Sequence, residues 1–174
     1  MPVCHSLRAP LLALLLLGAA MPVSAQETGR AQAAGEATPE WSVGSGDIWL
    51  DTWLADVNVY AGRYRGAFVD ELVRYQGAPR PFVTELLDAG ARPADLYLAC
   101  ATAQALGRTC REVIAEWRRA PAEGWSGVLE RLEAGPGTAP FARVREGLVA
   151  SFDRWARPIR LDAALRRALP DREN

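Results

Sequence analysis

The sequence predicts an all-α fold: a single compact bundle of about five to seven helices behind a flexible N-terminal leader. Three observations carry this expectation. Large apolar residues recur at spacings of three and four from Trp49 to Tyr75, which is the period of one helix face. Proline and glycine then punctuate the chain where helices start and stop, as at Pro93 and Gly107. No internal repeat and no run of alternating β-branched residues suggests a sheet or a solenoid.

Residues 1–25 read as a secretory signal peptide. Arg8 supplies the positive n-region, Leu11 to Ala20 form the apolar stretch, and Val23-Ser24-Ala25 is a small-residue cleavage site. The apolar run is shorter than the roughly 20 residues that a spanning helix needs, so no stable membrane anchor is expected after cleavage. Cys4 precedes that run and cannot be a lipobox cysteine. The expected location is periplasmic or secreted. Every one of the 20 basic residues is Arg, and the absence of Lys fits a GC-rich bacterial genome.

Residues 26–46 are rich in Ala, Gly, Gln, Glu and Ser, so they read as a flexible leader whose one large apolar residue, Trp41, is available to dock. The helical domain is expected over residues 47–158. Trp49, Trp53, Val57, Tyr60, Tyr64, Phe68, Leu72 and Tyr75 form one sustained face, read as core rather than as a ligand platform. Gly62 and Gly66 interrupt it, either admitting another helix closely or marking a bend near Asn58 to Gly62. Pro79 and Pro81 open the next helix, and Gly90 closes it. Pro93 to Gly107 makes another. Thr109 and Glu112 match a capping box that launches a helix with Val113, Ile114 and Trp117 inward. Beyond Pro121, Trp125 to Leu132 form a short amphipathic helix. The turn Gly135-Pro136-Gly137 follows, and Thr138 caps a last long helix that ends near Pro158. Residues 159–174 read as an arginine-rich tail of a turn or two that frays.

Removal of residues 1–25 leaves 149 of 174, enough for one domain with its own core. Arg8 leaves with the signal, so 19 Arg stand against 21 acids, a balance of −2. That opposes a general affinity for nucleic acid or anionic membrane. The single histidine, His5, lies in the signal peptide. The mature chain therefore lacks the imidazole that Ser-His-Asp and Cys-His catalysis and the usual zinc sites require. Without Lys it also lacks Schiff-base chemistry and a P-loop lysine. No metal and no cofactor is expected.

Cys100 and Cys110 are the only cysteines beyond the signal peptide. Export into an oxidising compartment favours a disulfide between them. Two cysteines cannot complete a zinc site alone, and their spacing is not that of a thioredoxin-like redox pair. Two buried free thiols are the alternative reading. Because Cys100 precedes the end of its helix by about 9 Å of rise, a bond requires the two helices to cross at an angle or the first to end early.

Trp125, Leu132, Pro136, Gly137, Thr138, Phe141 and Arg145 stand in a pattern that resembles a segment of small exported, all-helical, uncharacterised proteins of proteobacteria, approximately W-G-x-x-A-x-x-L-G-I-K-P-G-S-x-x-F-H-x-L-K. Upstream, Pro93, Asp95, Tyr97, Ala99 and Cys100 resemble the same proteins. The resemblance spans about half the mature chain. It implies an exported helical domain and no activity. Where those proteins tend to carry His, this chain has Ala142.

The functional expectation is a non-enzymatic exported domain that binds another protein or an envelope component. Trp and Arg are the usual anchors of such contacts, and Trp125, Arg143 and Arg145 are the candidate interaction residues. The alternative is a carboxylate-dependent hydrolase acting on cell-wall glycan, with Asp56, Asp70, Glu71 and Glu85 as candidate acids. A buried acid of raised pKa beside an aromatic wall would favour it. The turn between residues 125 and 147 also mimics a helix-turn-helix with Arg143 and Arg145 toward phosphate, but export and the negative balance oppose nucleic acid as a partner.

Overall fold

A computed structural model of the protein describes residues 42–172. The expected signal peptide over residues 1–25, residues 26–41 of the expected leader with Trp41, and residues 173–174 lie outside the described residues. Among those described there are eight α-helices and no strand: α1 (Ile48–Arg63), α2 (Arg65–Tyr75), α3 (Arg80–Asp88), α4 (Pro93–Leu106), α5 (Cys110–Arg119), α6 (Gly124–Arg131), α7 (Ala139–Arg154) and α8 (Ala163–Ala168). The fold is all-α, as expected. None of these helices is long and apolar enough to cross a membrane.

The helix count exceeds the expected five to seven for two physical reasons. The long aromatic face breaks at Tyr64, which leaves helical geometry at φ −126°, ψ 50° and serves as both the C-cap of α1 and the N-cap of α2. Gly62 and Gly66 flank that break. A Cβ at either would meet nothing within 4 Å, so they mark the bend rather than a close helix approach. Half of the expected face is core: Val57, Tyr60, Phe68 and Leu72 are buried, Trp49 and Trp53 are only partly buried, and Tyr64 and Tyr75 stay half exposed. Leu50 and Leu54, next to the two tryptophans, supply the buried start of α1 instead. The second reason is α8, in a tail expected to fray. Ile159, Leu161 and Leu165 are buried, and Asp162 caps α8 by accepting from Leu165 N at 3.0 Å.

The other boundary of the domain also moves. Residues 42–46, assigned to the leader, are packed: Val43 and Ser45 are buried. The Asp51 carboxylate accepts from Ser42 Oγ at 2.6 Å and from Ser45 N at 3.0 Å. Ser126 N donates to the Gly44 carbonyl at 2.8 Å. A short polar side chain beside a helix start competes well for backbone groups, which is why this Ser/Gly stretch is ordered despite having little to bury.

Helix α4 is the axis of the molecule. Every residue from Ala94 to Ala103 is buried, which suits a helix that is apolar and small-residued all round. It packs against α1, α5 and α7. Pro93 opens it at the first turn, and Gly107 closes it at φ +67°. The capping box of Thr109 and Glu112 then starts α5. Between them the chain doubles back, so Cys110 lies beside Cys100 in a disulfide with Cα atoms 4.3 Å apart. Helix α4 does not end early. The return of residues 107–109 along its last turns brings the sulfurs together.

Candidate functional site

The three candidate interaction residues do not share a surface. Trp125 is 1% exposed, stacks on Trp117 with ring centres 5.9 Å apart, and donates from Nε1 to Asp95 Oδ1 at 2.8 Å. This corrects its reading as an anchor: the apolar face of α6, Trp125 with Val128 and Leu129, is directed into the core. Arg145 is also turned inward. Its guanidinium lies 4.8 Å from the centre of the Trp49 ring, pairs with Asp162, and reaches Asp47 at 3.7 Å. Arg143 sits two residues earlier, on the opposite side of α7. It is exposed and donates to the Ala105 carbonyl at 2.8 Å, near the C-terminus of α4. A guanidinium there complements the helix dipole.

The four candidate acids are dispersed. Asp56 accepts twice from Arg157, at 2.7 and 2.8 Å. Asp70 pairs with Arg80, whose hydrogen bond holds its carboxyl below the ordinary range. Glu85 is exposed on α3. Glu71 is buried against Arg154. Among the described residues, the acid with a raised pKa is Asp95. Burial pushes it up, and the hydrogen bond from Trp125 and the charge of Arg92 act the other way. Asp95 lines none of four cavities that open among the described residues. No group of three His, Cys, Asp or Glu side chains among the described residues is placed to hold a metal.

A buried polar chain connects α2, α4 and α7. Ser151 Oγ donates to Glu71 Oε1 at 2.6 Å, and the Tyr97 hydroxyl lies 2.7 Å from Ser151 Oγ. Arg154 Nε donates to Glu71 Oε2 at 3.0 Å, while its guanidinium covers the Tyr75 ring at 3.8 Å. Two short contacts meet at the Ser151 oxygen and the carboxylate can only accept, so Ser151 gives its hydrogen to Glu71 and Tyr97 gives its hydrogen to Ser151. Burial keeps the Tyr97 hydroxyl protonated far above the ordinary tyrosine range.

Against this chain lie two adjoining cavities of about 340 and 670 Å³. Tyr75, Gln76 and Gln104 line both, so together they form one groove between α2, α4, α5 and α7. Arg143 and Arg154 line the first part; Arg74, Arg108 and Arg111 line the second. No Asp or Glu lines either. Arg108, Arg111 and Arg143 make no ion pair within 4.0 Å among the described residues, although Arg111 rests on the Phe82 ring at 4.3 Å. At the centre, Gln76 is 8% exposed and its Oε1 has no hydrogen-bond partner among the protein atoms.

Of the three candidate interaction residues only Arg143 lines this groove, and its other lining residues were not among the candidates. One local signal was present. Gly147 sits inside the long helix α7, where glycine is unfavourable, and a Cβ there would meet nothing within 4 Å. Gly147 lines the first cavity. Comparison with known proteins finds no matching family model, no matching curated protein and no matching solved structure.

Proposed function

We propose that the protein is an exported, non-enzymatic binding domain that holds an anionic partner, a protein or an envelope component, in the groove between α2, α4, α5 and α7. One observation carries the reading: Arg108, Arg111 and Arg143 line a groove free of acidic residues, in a chain whose net charge is −1. Cations outside any close ion pair, gathered on a chain of opposite overall sign, focus a local positive field that attracts negative groups. The signal sequence and the disulfide support export, since disulfides persist in oxidising compartments. The test is co-sedimentation of purified residues 26–174 with isolated envelope fractions across a salt series. Binding that weakens with salt, and that is lost in a folded variant carrying Arg108→Gln, Arg111→Gln and Arg143→Gln, supports the reading. Equal binding by that variant refutes it.

The alternative, a carboxylate-dependent hydrolase of cell-wall glycan, has Asp95 in its favour as a buried acid beside an indole. Asp95 lines none of those four cavities, which weighs against it. Glycan release from peptidoglycan by the parent protein but not by Asp95→Asn would establish this alternative.

A further inference from the structure

Within the proposed groove, and resting on that reading, we infer that the cavity beneath Tyr75 and Arg143 receives the free carboxyl terminus of a peptide, with the carboxylate at Arg143 and a backbone N–H at Gln76 Oε1. Tyr97 directs its one hydrogen to Ser151, so toward any other neighbour its oxygen can only accept. Gln76 and Tyr97 line the same cavity; a hydroxyl oxygen that can only accept suits the Gln76 NH2, which leaves the Gln76 carbonyl oxygen to face elsewhere. That oxygen is buried, lacks a protein donor, and belongs to a residue lining both cavities. Buried carbonyls are rarely left in this condition.

The cavity therefore asks for two things at once. Near its rim, Arg143 has spent one donor on the Ala105 carbonyl and keeps the rest of its fork for an anion. Deeper in, Gln76 Oε1 requires a hydrogen-bond donor. A fully ionised phosphate or sulfate offers only acceptors, so it satisfies the first requirement and is repelled by the second. The end of a peptide offers both: a carboxylate suited to bidentate arginine contact, followed by an amide N–H. The second cavity continues from the first past Gln76 and Gln104, giving the preceding peptide residues a path toward Arg108 and Arg111. Small residues keep the first cavity open: Ala101, Ala105 and Gly147 line it. Gly147 stands where an alanine would favour the helix and touch nothing.

The test is isothermal titration of residues 26–174 with a library of N-acetylated tripeptides bearing free carboxyl termini, and with the same library as C-terminal amides. The acids should bind, and the amides should bind about tenfold or more weakly, as expected for loss of a charge-assisted bidentate contact. Gly147→Leu should fill the cavity and abolish peptide binding while melting no lower than the parent. Gln76→Leu should weaken the acids, because the peptide N–H then meets no acceptor. Equal affinity for acids and amides overturns the inference, as does full binding by Gly147→Leu. Anionic glycan fragments binding where no peptide does would also overturn it. In each of these cases envelope binding that still depends on Arg108, Arg111 and Arg143 leaves the groove reading standing; envelope binding indifferent to those three removes both.

Discussion

Trp125 Nε1 donates to Asp95 Oδ1 at 2.8 Å in a contact closed to solvent, joining the start of α6 to the first turn of α4 across 30 residues. Asp95→Ala leaves the indole N–H buried without an acceptor, which costs about 1–3 kcal/mol. Asp95→Asn keeps an acceptor and removes a charge that burial disfavours. The raised pKa means that the folded state holds this proton more tightly than the unfolded state. The contribution of Asp95 to stability is therefore greatest below the ordinary aspartate range and declines as pH rises through the raised folded value. Thermal melts should place Asp95→Asn at or above the parent at neutral pH, with the advantage vanishing in acid. A parent that gains on Asp95→Asn with rising pH would contradict this.

The aromatic face supplies a graded series. Phe68→Ala empties a fully buried site and should cost about 3–5 kcal/mol. Trp53→Ala removes a partly buried ring that meets Phe152 edge-on at 5.4 Å, so its cost should fall at the lower end of the same range. Tyr64, 50% exposed at the bend, should change stability by about 0.5 kcal/mol or less on substitution by Phe. Denaturant titration ranks the three.

Cys100 and Cys110 are both buried, at 0% and 4% exposure. Native protein should resist alkylation until it is reduced. Reduction, or Cys100→Ala with Cys110→Ala, should lower stability by about 2–3 kcal/mol on the chain-entropy argument for a loop this short. Because Cys110 and Thr109 line the second cavity with Arg108 and Arg111, reduction should also weaken ligand binding in proportion to the loosening of that corner. Ready alkylation of folded, oxidised protein would disprove the bond.

A chain stopped after Pro158 should fail to fold or should lose more than about 3 kcal/mol. It uncovers the sites of Ile159, Leu161 and Leu165. It also takes from Trp49 Nε1 its acceptor, the Arg160 carbonyl at 2.7 Å, and from Arg145 its partner Asp162. Circular dichroism of the truncated chain against the full one decides this.

The features legible in the sequence were those written locally. Thr109 and Glu112 are three residues apart, and Pro93 and Gly107 act through their own backbone angles, so caps and stops could be read directly. The bend between α1 and α2 was visible as two glycines, but Tyr64 between them was not marked by its side chain. What escaped depends on distant partners. The tail is ordered by Trp49 and Arg145, more than a hundred and about seventeen residues away respectively. Trp125 reads equally as anchor or core until Asp95 and Trp117 are placed beside it. The groove draws Arg108 from a loop, Arg111 from α5 and Arg143 from α7. No spacing in the chain announces that meeting.

Arg145 is a knot between the two ends of the described chain. Asp47 at the start of α1 and Asp162 at the start of α8 both lie against its guanidinium, and Trp49 grips the Arg160 carbonyl alongside. Synthesis runs from the N-terminus, so α1 is finished long before the groups that complete it exist. Contacts this far apart in the chain close slowly, because the intervening loop entropy must be overcome first. Until the last segment arrives, the Trp49 indole N–H lacks its Arg160 acceptor and the Arg145 guanidinium lacks Asp162. The contacts that complete the fold are thus the last to become available as the chain is made.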